Sequence, residues 1–176
     1  MSAEKSKREQ LIVELARRTI DKYVNEGKKP QPAEAEEELL DEKRGVFVSI
    51  KNKGQLRGCI GTIEPVQKNL AREIINNAVS ACGHDPRFPP VRPEELSDLE
   101  ISVDVLGAKE PISGLEQLDP EQYGVVVNKG KRTGLLLPDL EGVDTAEKQV
   151  EIACKKAGVT PDDDLQLYRF KVERYQ

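Results

Sequence analysis

The 176-residue sequence has few of the side chains on which disulfide, metal and redox chemistry depend. It contains no tryptophan and one histidine, and its three cysteines are far apart and odd in number. Such cysteines do not form a disulfide framework, and one histidine without a Cys-x-x-Cys pair lacks the usual zinc-site spacing. The sequence therefore predicts no cofactor and no metal site. A site built of carboxylates, which leaves a weaker signature, stays open.

Long apolar runs and a large excess of one charge are also missing. No stretch approaches the length of a membrane-spanning helix, and the charged first ten residues are not followed by the apolar core of a signal peptide. These features predict a cytoplasmic protein. Lys and Arg number 27 against 32 Asp and Glu, which gives a net charge of -5. Nucleic-acid binders usually have a basic excess, so nucleic acid is the least favoured partner.

Periodic apolar residues predict three helices and six short strands. The helices are expected at about 7–26, 65–83 and 145–157, and the strands near 46–50, 56–62, 101–105, 125–127, 135–137 and 168–172. Ser6, Pro65 and Asp144 are the expected helix starts, and the acidic triplet 162–164 is expected to be a loop. Helices interspersed with hairpins predict an α+β fold, a mostly antiparallel sheet flanked by helices, in a single domain over residues 1–176.

The most informative segment, Leu-Arg-Gly-Cys-Ile-Gly-Thr, begins at Leu56. Alternate residues of a strand share a face, so Arg57 and Cys59 are expected to point the same way. A guanidinium beside a thiol favours the reactive thiolate, and glycine in a strand marks a bulge or a close approach by backbone or ligand. The candidate binding positions in this segment are Arg57, Gly58, Gly61 and Thr62.

A second segment, residues 84–91, combines three prolines with four chemically useful side chains. Proline restricts the residue before it, so the segment is predicted to be a rigid loop, a common scaffold for functional groups. The functional candidates are His84, Asp85, Arg87 and Phe88. The structural alternative is equally open: Asp85 caps a turn, Arg87 pairs with it, and Phe88 fills the core.

Together the two segments suggest a catalytic hypothesis. Cys59 is the candidate nucleophile, His84 its base and Asp85 the group that orients the base. Arg57 or Arg87 would then hold an anion. The competing interpretation is that Cys59 is a small buried hydrophobe, as strand cysteines usually are. Cys82 and Cys154 lie in helical apolar patterns and are expected in the core.

Five segments closely resemble the AMMECR domain family, whose prokaryotic members are called AmmeMemoRadiSam system protein A. They occur in the family's order: 44–48 (RGVFV), 56–62 (LRGCIGT), 85–91 (DPRFPPV), 134–138 (GLLLP) and 154–158 (CKKAG). The resemblance covers about residues 11–175. It implies an intracellular protein with a two-lobed α+β fold, in which a larger sheet lobe is accompanied by a smaller one.

The resemblance implies no settled reaction, but the family's prokaryotic name implies an association with a Memo-like protein and a radical SAM protein. Two functions follow as hypotheses. In the first, the chain is a component of an enzyme system that binds a small anionic ligand at the surface built from the LRGCIGT and DPRFPPV motifs. In the second, it is a non-catalytic protein–protein interaction module that uses the same surface. The sequence does not establish whether the two motifs meet, or the oligomeric state.

Overall fold

The computed structural model describes residues 3–161 and 164–176 and divides into two compact units. The first unit comprises the chain up to Val105 together with Arg174–Gln176, and the second is Leu106–Glu173. Each unit contains a four-stranded sheet and at least one helix. Five strand pairings in these two sheets are antiparallel, and helices accompany both sheets, so the predicted α+β fold is confirmed.

The elements alternate along the chain. The helices are α1 (Ala3–Glu26), α2 (Leu70–Gly83) and α3 (Ala146–Ala157), with short 3-10 helices at Glu34–Leu39, Pro93–Asp98 and Leu115–Gln117. The strands are β1 (Val46–Asn52), β2 (Gln55–Thr62), β3 (Leu99–Leu106), β4 (Glu110–Ile112), β5 (Gly124–Lys129), β6 (Arg132–Leu136), β7 (Gln166–Phe170) and β8 (Val172–Tyr175). The first sheet has the order β2-β1-β3-β8, and the second has the order β4-β7-β5-β6.

The first sheet is built on β1, whose Val46, Val48 and Ile50 are fully buried in the core beneath α1 and α2. Strand β1 lies between β2 and β3, and β2 forms the edge of the sheet. Lys53 and Gly54 have φ of 51° and 77°, the left-handed conformation that a two-residue hairpin turn requires. The hairpin predicted across this region is confirmed.

Two helix starts differ from the prediction. Helix α2 begins at Leu70, not in the turn after Pro65, because the Asn69 side chain accepts the hydrogen bond from the Arg72 N–H and caps the helix there. Helix α3 begins after Thr145, whose hydroxyl accepts from the Lys148 N–H, so the cap is not Asp144.

The first and last elements also differ from the prediction. Helix α1 already begins at Ala3, so Ser6 lies inside it and is not the N-cap. The strand predicted over 168–172 is two strands, β7 and β8, which belong to different sheets. Alternation of apolar residues continues across the break at Lys171, so a period of two cannot reveal the change of partner. Residues 162 and 163 of the predicted acidic loop lie outside the described residues.

The second unit packs α3 against β5 and β6. Val125, Val127 and Leu136 of the sheet meet Val150 and Ala153 of the helix in one buried cluster. Gly158, with φ of 67°, ends α3 in the left-handed conformation, as predicted.

Candidate functional site

The two motifs singled out in the sequence meet at the outer edge of β2. Residues 84–91, named the proline loop here, follow α2 and return beside that strand. The Asp85 carboxylate accepts a hydrogen bond from the Cys59 backbone N–H at 2.9 Å, and Arg87 donates to the Cys59 carbonyl at 3.0 Å. Both backbone groups of Cys59 therefore point away from β1 and are satisfied by the loop.

Asp85 organises the proline loop. Its backbone carbonyl accepts from the Phe88 N–H at 3.1 Å, which closes a turn with Pro86 at the second position. Its carboxylate also accepts from the Arg87 backbone N–H and from the Arg87 Nε and Nη2, at 2.8–3.1 Å. The hydrogen bonds from the Arg87 side chain, ahead of those from the backbone, hold the pKa of Asp85 well below its usual range. Asp85 therefore stays ionised and joins the loop to β2.

Arg57 braces the same loop from the strand. Its Nε and Nη2 donate to the two carboxylate oxygens of Glu95 at 2.8 and 3.0 Å. Its Nη1 and Nη2 donate to the carbonyls of Pro89 and Pro90 at 2.8 and 3.2 Å. The Arg57 hydrogen bond is the largest influence that lowers the pKa of Glu95, to about 2. The guanidinium proposed as an anion ligand is thus occupied by protein acceptors.

Cys59 lies opposite Ser49 in the β1–β2 register, and its side chain is half-buried. The Ser49 hydroxyl donates to the Cys59 Sγ at 3.2 Å. The other two cysteines, Cys82 and Cys154, are buried in the cores of the two units, as predicted. Burial raises the pKa of Cys82 to about 11. Cys59 is therefore the most accessible thiol of the three.

His84 turns away from the thiol. Its Nε2 lies 2.9 Å from the Tyr23 hydroxyl of α1, and the two rings are tilted by 59°. Among the hydrogen bonds found over residues 3–161 and 164–176, none joins the imidazole to Cys59 or to Asp85. The arrangement of Cys59, His84 and Asp85 expected for nucleophilic catalysis is not formed, because His84 faces α1 while Asp85 faces β2.

The two glycines beside Cys59 are explained by packing. A Cβ atom on Gly58 would lie 2.2 Å from the Ala81 carbonyl oxygen of α2, so the helix passes directly over this point of the strand. A Cβ atom on Gly61 would lie 2.3 Å from the ring of Phe47. The close approach inferred from the sequence exists, but protein groups make it.

A buried polar cluster at the other end of β2 was missed by sequence reasoning. Glu73 of α2 is 0% exposed and accepts from the Thr62 hydroxyl at 2.7 Å and from the N–H groups of Val66 and Gln67 at 2.9 and 2.7 Å. Asn77 donates to the same hydroxyl at 3.3 Å. Glu73 therefore holds the loop before α2, and the Thr62 hydroxyl is engaged by Glu73 and Asn77. The signal was present, because Glu73 and Asn77 are four residues apart beside the apolar stripe of α2.

The tip of the proline loop is exposed although its base is fixed. The Arg87 guanidinium lies over the Phe88 ring, 5.5 Å from its centroid. Phe88 is half-buried, and the three prolines of the loop are exposed. A shallow cavity of about 380 Å³ lies at the tip of the β1–β2 hairpin, next to the side chain of Arg57 that contacts the proline loop. It is lined by Asn52, Lys53, Gln55, Leu56 and Arg57.

The described residues contain neither a metal-ligand cluster nor a membrane-spanning helix. Over residues 3–161 and 164–176, no three His, Cys, Asp or Glu side chains are grouped as metal ligands. Within the same ranges, no helix combines the length and the apolar character needed to cross a membrane.

Comparison with known proteins identifies close relatives. A protein of Thermotoga maritima is 53% identical over 93% of this chain and 96% of its own length. A Clostridium acetobutylicum protein is 49% identical over 93% of this chain, but the match spans 35% of that longer protein. The crystal structure of an uncharacterized protein from Pyrococcus horikoshii has a TM-score of 0.87 at 35% identity, covering 94% of this chain and 89% of the other.

The AMMECR1 family profile matches residues 13–176, which include both motifs and all three helices at least in part. The match agrees with the resemblance seen in the five sequence segments. The chain belongs to the AMMECR1 family.

Proposed function

We propose that the chain is a binding module that presents the proline loop and the adjoining edge of β2 to a protein partner. The observation that carries this proposal is the double bracing of the loop. Asp85 ties its start to Cys59, and Arg57 ties its end to Glu95. A loop fixed before binding loses little conformational freedom on association, which favours affinity.

The composition of the exposed tip supports a protein partner. Arginine and aromatic side chains, here Arg87 and Phe88, are enriched at protein interfaces. A small anion is less well served at Arg57, whose guanidinium already donates to Glu95 and to two carbonyls of the proline loop. An anion would have to displace these acceptors. The Memo-like and radical SAM proteins that the family's prokaryotic name associates with it are the candidate partners.

Phe88→Ala is expected to weaken this association at least about tenfold, because the aromatic contact is removed while the hydrogen bonds of the loop remain. The measurement is calorimetric titration of the whole chain with the purified Memo-like protein and with the purified radical SAM protein of the same genome. Wild-type binding to at least one of them is expected.

The matched control is Val66→Ala, which trims an apolar side chain that is 66% exposed elsewhere in the first unit. Its affinity is expected to equal that of the wild type. Urea unfolding of each variant separates lost binding from lost structure. Binding that Phe88→Ala leaves unchanged, or wild-type binding to neither protein, would contradict the proposed role.

A second candidate function, a component of an enzyme system that uses Cys59, is favoured by one specific contact. The Ser49 hydroxyl donates a hydrogen bond to the Cys59 Sγ, and the Cys59 side chain is half-buried rather than enclosed. Without His84 in reach, deprotonation would be left to solvent or to a group of the partner.

Cys59 is expected to be alkylated by iodoacetamide at least about tenfold faster than Cys82 in the folded protein near neutral pH, since the buried thiol is rarely ionised. Peptide mass spectrometry over a pH series gives the rate at each cysteine. Cys82 and Cys154 are internal controls. Ser49→Ala is expected to slow Cys59 by about threefold if the hydroxyl contact assists the thiolate. A Cys59 that reacts only on unfolding excludes the thiol from any mechanism.

A further inference from the structure

We infer that the partner segment recognised by this surface is acidic, with carboxylates that meet Arg87 and Arg92 at the rim of the proline loop. The inference rests on the proposed binding function and adds the chemistry of the partner. It follows from the orientation of two ion pairs of this surface, in which the guanidinium faces solvent.

In each of the two ion pairs at the rim of the proline loop, the carboxylate is far less exposed than the guanidinium. In the pair of Arg87 with Asp85, the exposed fractions of the side chains are 54% and 1%. In the pair of Arg92 with Glu95, they are 78% and 17%, and the two groups are 4.0 Å apart. Glu95 also binds Arg57 at 2.8 Å, so one carboxylate is shared by two guanidiniums, and the outer one, that of Arg92, faces solvent as the Arg87 guanidinium does.

Lys53, at the tip of the β1–β2 hairpin, is a third cation that is exposed to solvent. Its side chain is 80% exposed, and its partner Asp98 is 3.7 Å away. Contacts this long between exposed groups contribute little, so the ammonium remains available to another carboxylate. Lys53 also lines the cavity beside Arg57, and Arg57 in turn contacts the proline loop.

An outward-facing set of cations is notable on a chain whose net charge is -5. Complementary charge around a binding surface accelerates encounter and excludes partners of the wrong sign. Phe88, which is half-buried at the tip of the proline loop, adds an apolar contact to this charged surface. A peptide segment that carries several carboxylates around one apolar side chain fits both features. A nucleic acid fits less well, because the rest of the chain repels it and few aromatic rings are available for stacking.

The first probe is a synthetic peptide of about twelve residues with glutamates around a central leucine, and the second is the same peptide with glutamine at each glutamate. Binding to the ¹⁵N-labelled whole chain is followed by NMR at about 50 and about 200 mM salt. The glutamate peptide is expected to shift the amides of the proline loop and β2. It is also expected to bind at least about tenfold more tightly than the glutamine peptide, and less tightly at the higher salt.

The test variant is the double charge reversal Lys53→Glu with Arg92→Glu, which replaces neither Asp85 and Arg57 nor the residues to which they are hydrogen-bonded. Its affinity for the glutamate peptide is expected to fall at least about tenfold. The control, Lys28→Glu with Lys131→Glu, makes the same change in net charge at exposed lysines away from these contacts and is expected to bind like the wild type. NMR spectra of both variants report whether the fold is retained.

The inference would be overturned if the two peptides bound with equal affinity, or if the glutamate peptide did not bind at about 1 mM. It would also be overturned if the charge-reversed variant bound the glutamate peptide as tightly as the wild type. A single-stranded oligonucleotide bound more tightly than the glutamate peptide would also overturn it, in favour of nucleic acid. The proposed function is tested separately. Binding of an intact partner that is lost with Phe88→Ala but kept by the charge-reversed variant would refute the acidic segment alone.

Discussion

Asp85→Asn is expected to lower the free energy of unfolding of the first unit by about 3 kcal/mol. The carboxylate is buried and accepts four hydrogen bonds, from the Cys59 N–H and from three N–H groups of Arg87. An amide has one accepting oxygen and places N–H groups against those donors. Arg87 is half-exposed and regains water, so the effect is smaller than for a fully enclosed ion pair.

Urea unfolding monitored by circular dichroism measures this change, and Asp98→Asn is the matched control. Asp98 is an exposed carboxylate 3.7 Å from Lys53, so its replacement is expected to cost less than about 0.5 kcal/mol.

The pH dependence of the free energy of unfolding gives a second test of the role of Asp85. Because folding lowers the pKa of Asp85, its contribution is present above the unfolded value of about 4 and is lost as the pH falls below it. Asp85→Asn should therefore lose less stability than the wild type between about pH 7 and about pH 3. Equal stability of the two proteins at neutral pH would rule out the bracing role of Asp85.

Gly58→Ala is expected to destabilise the protein by about 3 kcal/mol, although it adds a single methyl group. The added Cβ would lie 2.2 Å from the Ala81 carbonyl oxygen, and this oxygen belongs to the backbone of α2. Rotation of a side chain cannot relieve the overlap, so the helix must move away from β2. Cys59 and the start of the proline loop are attached to these two elements.

The comparison for Gly58→Ala is Leu56→Ala, on the same strand but at an exposed side chain, with an expected cost below about 1 kcal/mol. Thermal unfolding of both variants gives the difference. Amide NMR shifts should spread from β2 into α2 in Gly58→Ala only. A Gly58→Ala protein as stable as the wild type would mean that the strand and helix are less closely packed than the structure indicates.

Local features of the site could be predicted from the sequence. The turn at Asp85 and its pairing with Arg87 involve residues two apart, and the structural interpretation of the loop included both. The β1–β2 hairpin also follows from local signals, alternating apolar residues on either side of a Lys-Gly turn. Such contacts are encoded by neighbours and need no knowledge of the rest of the fold.

The longer contacts could not be predicted, because their partners are remote in sequence. Glu95 is 38 residues from Arg57, and Tyr23 is 61 residues from His84. Because the sequence does not reveal these partners, it makes Arg57 a candidate anion ligand and His84 a candidate general base. A glycine beside a helix backbone and a glycine beside a ligand have the same appearance in the sequence, so the sequence alone does not distinguish a binding role for Gly58 from the packing against α2.

The position of Asp85 and Arg87 against β2 has a consequence for the behaviour of the protein at high concentration. An uncovered edge strand has unpaired N–H and C=O groups and can form hydrogen bonds with a strand of another molecule, which leads to polymers and fibrils. At Cys59 the carboxylate and the guanidinium occupy the places that such a strand would take. The loop that we propose as the binding surface for a partner thereby also hinders the chain from assembling with copies of itself.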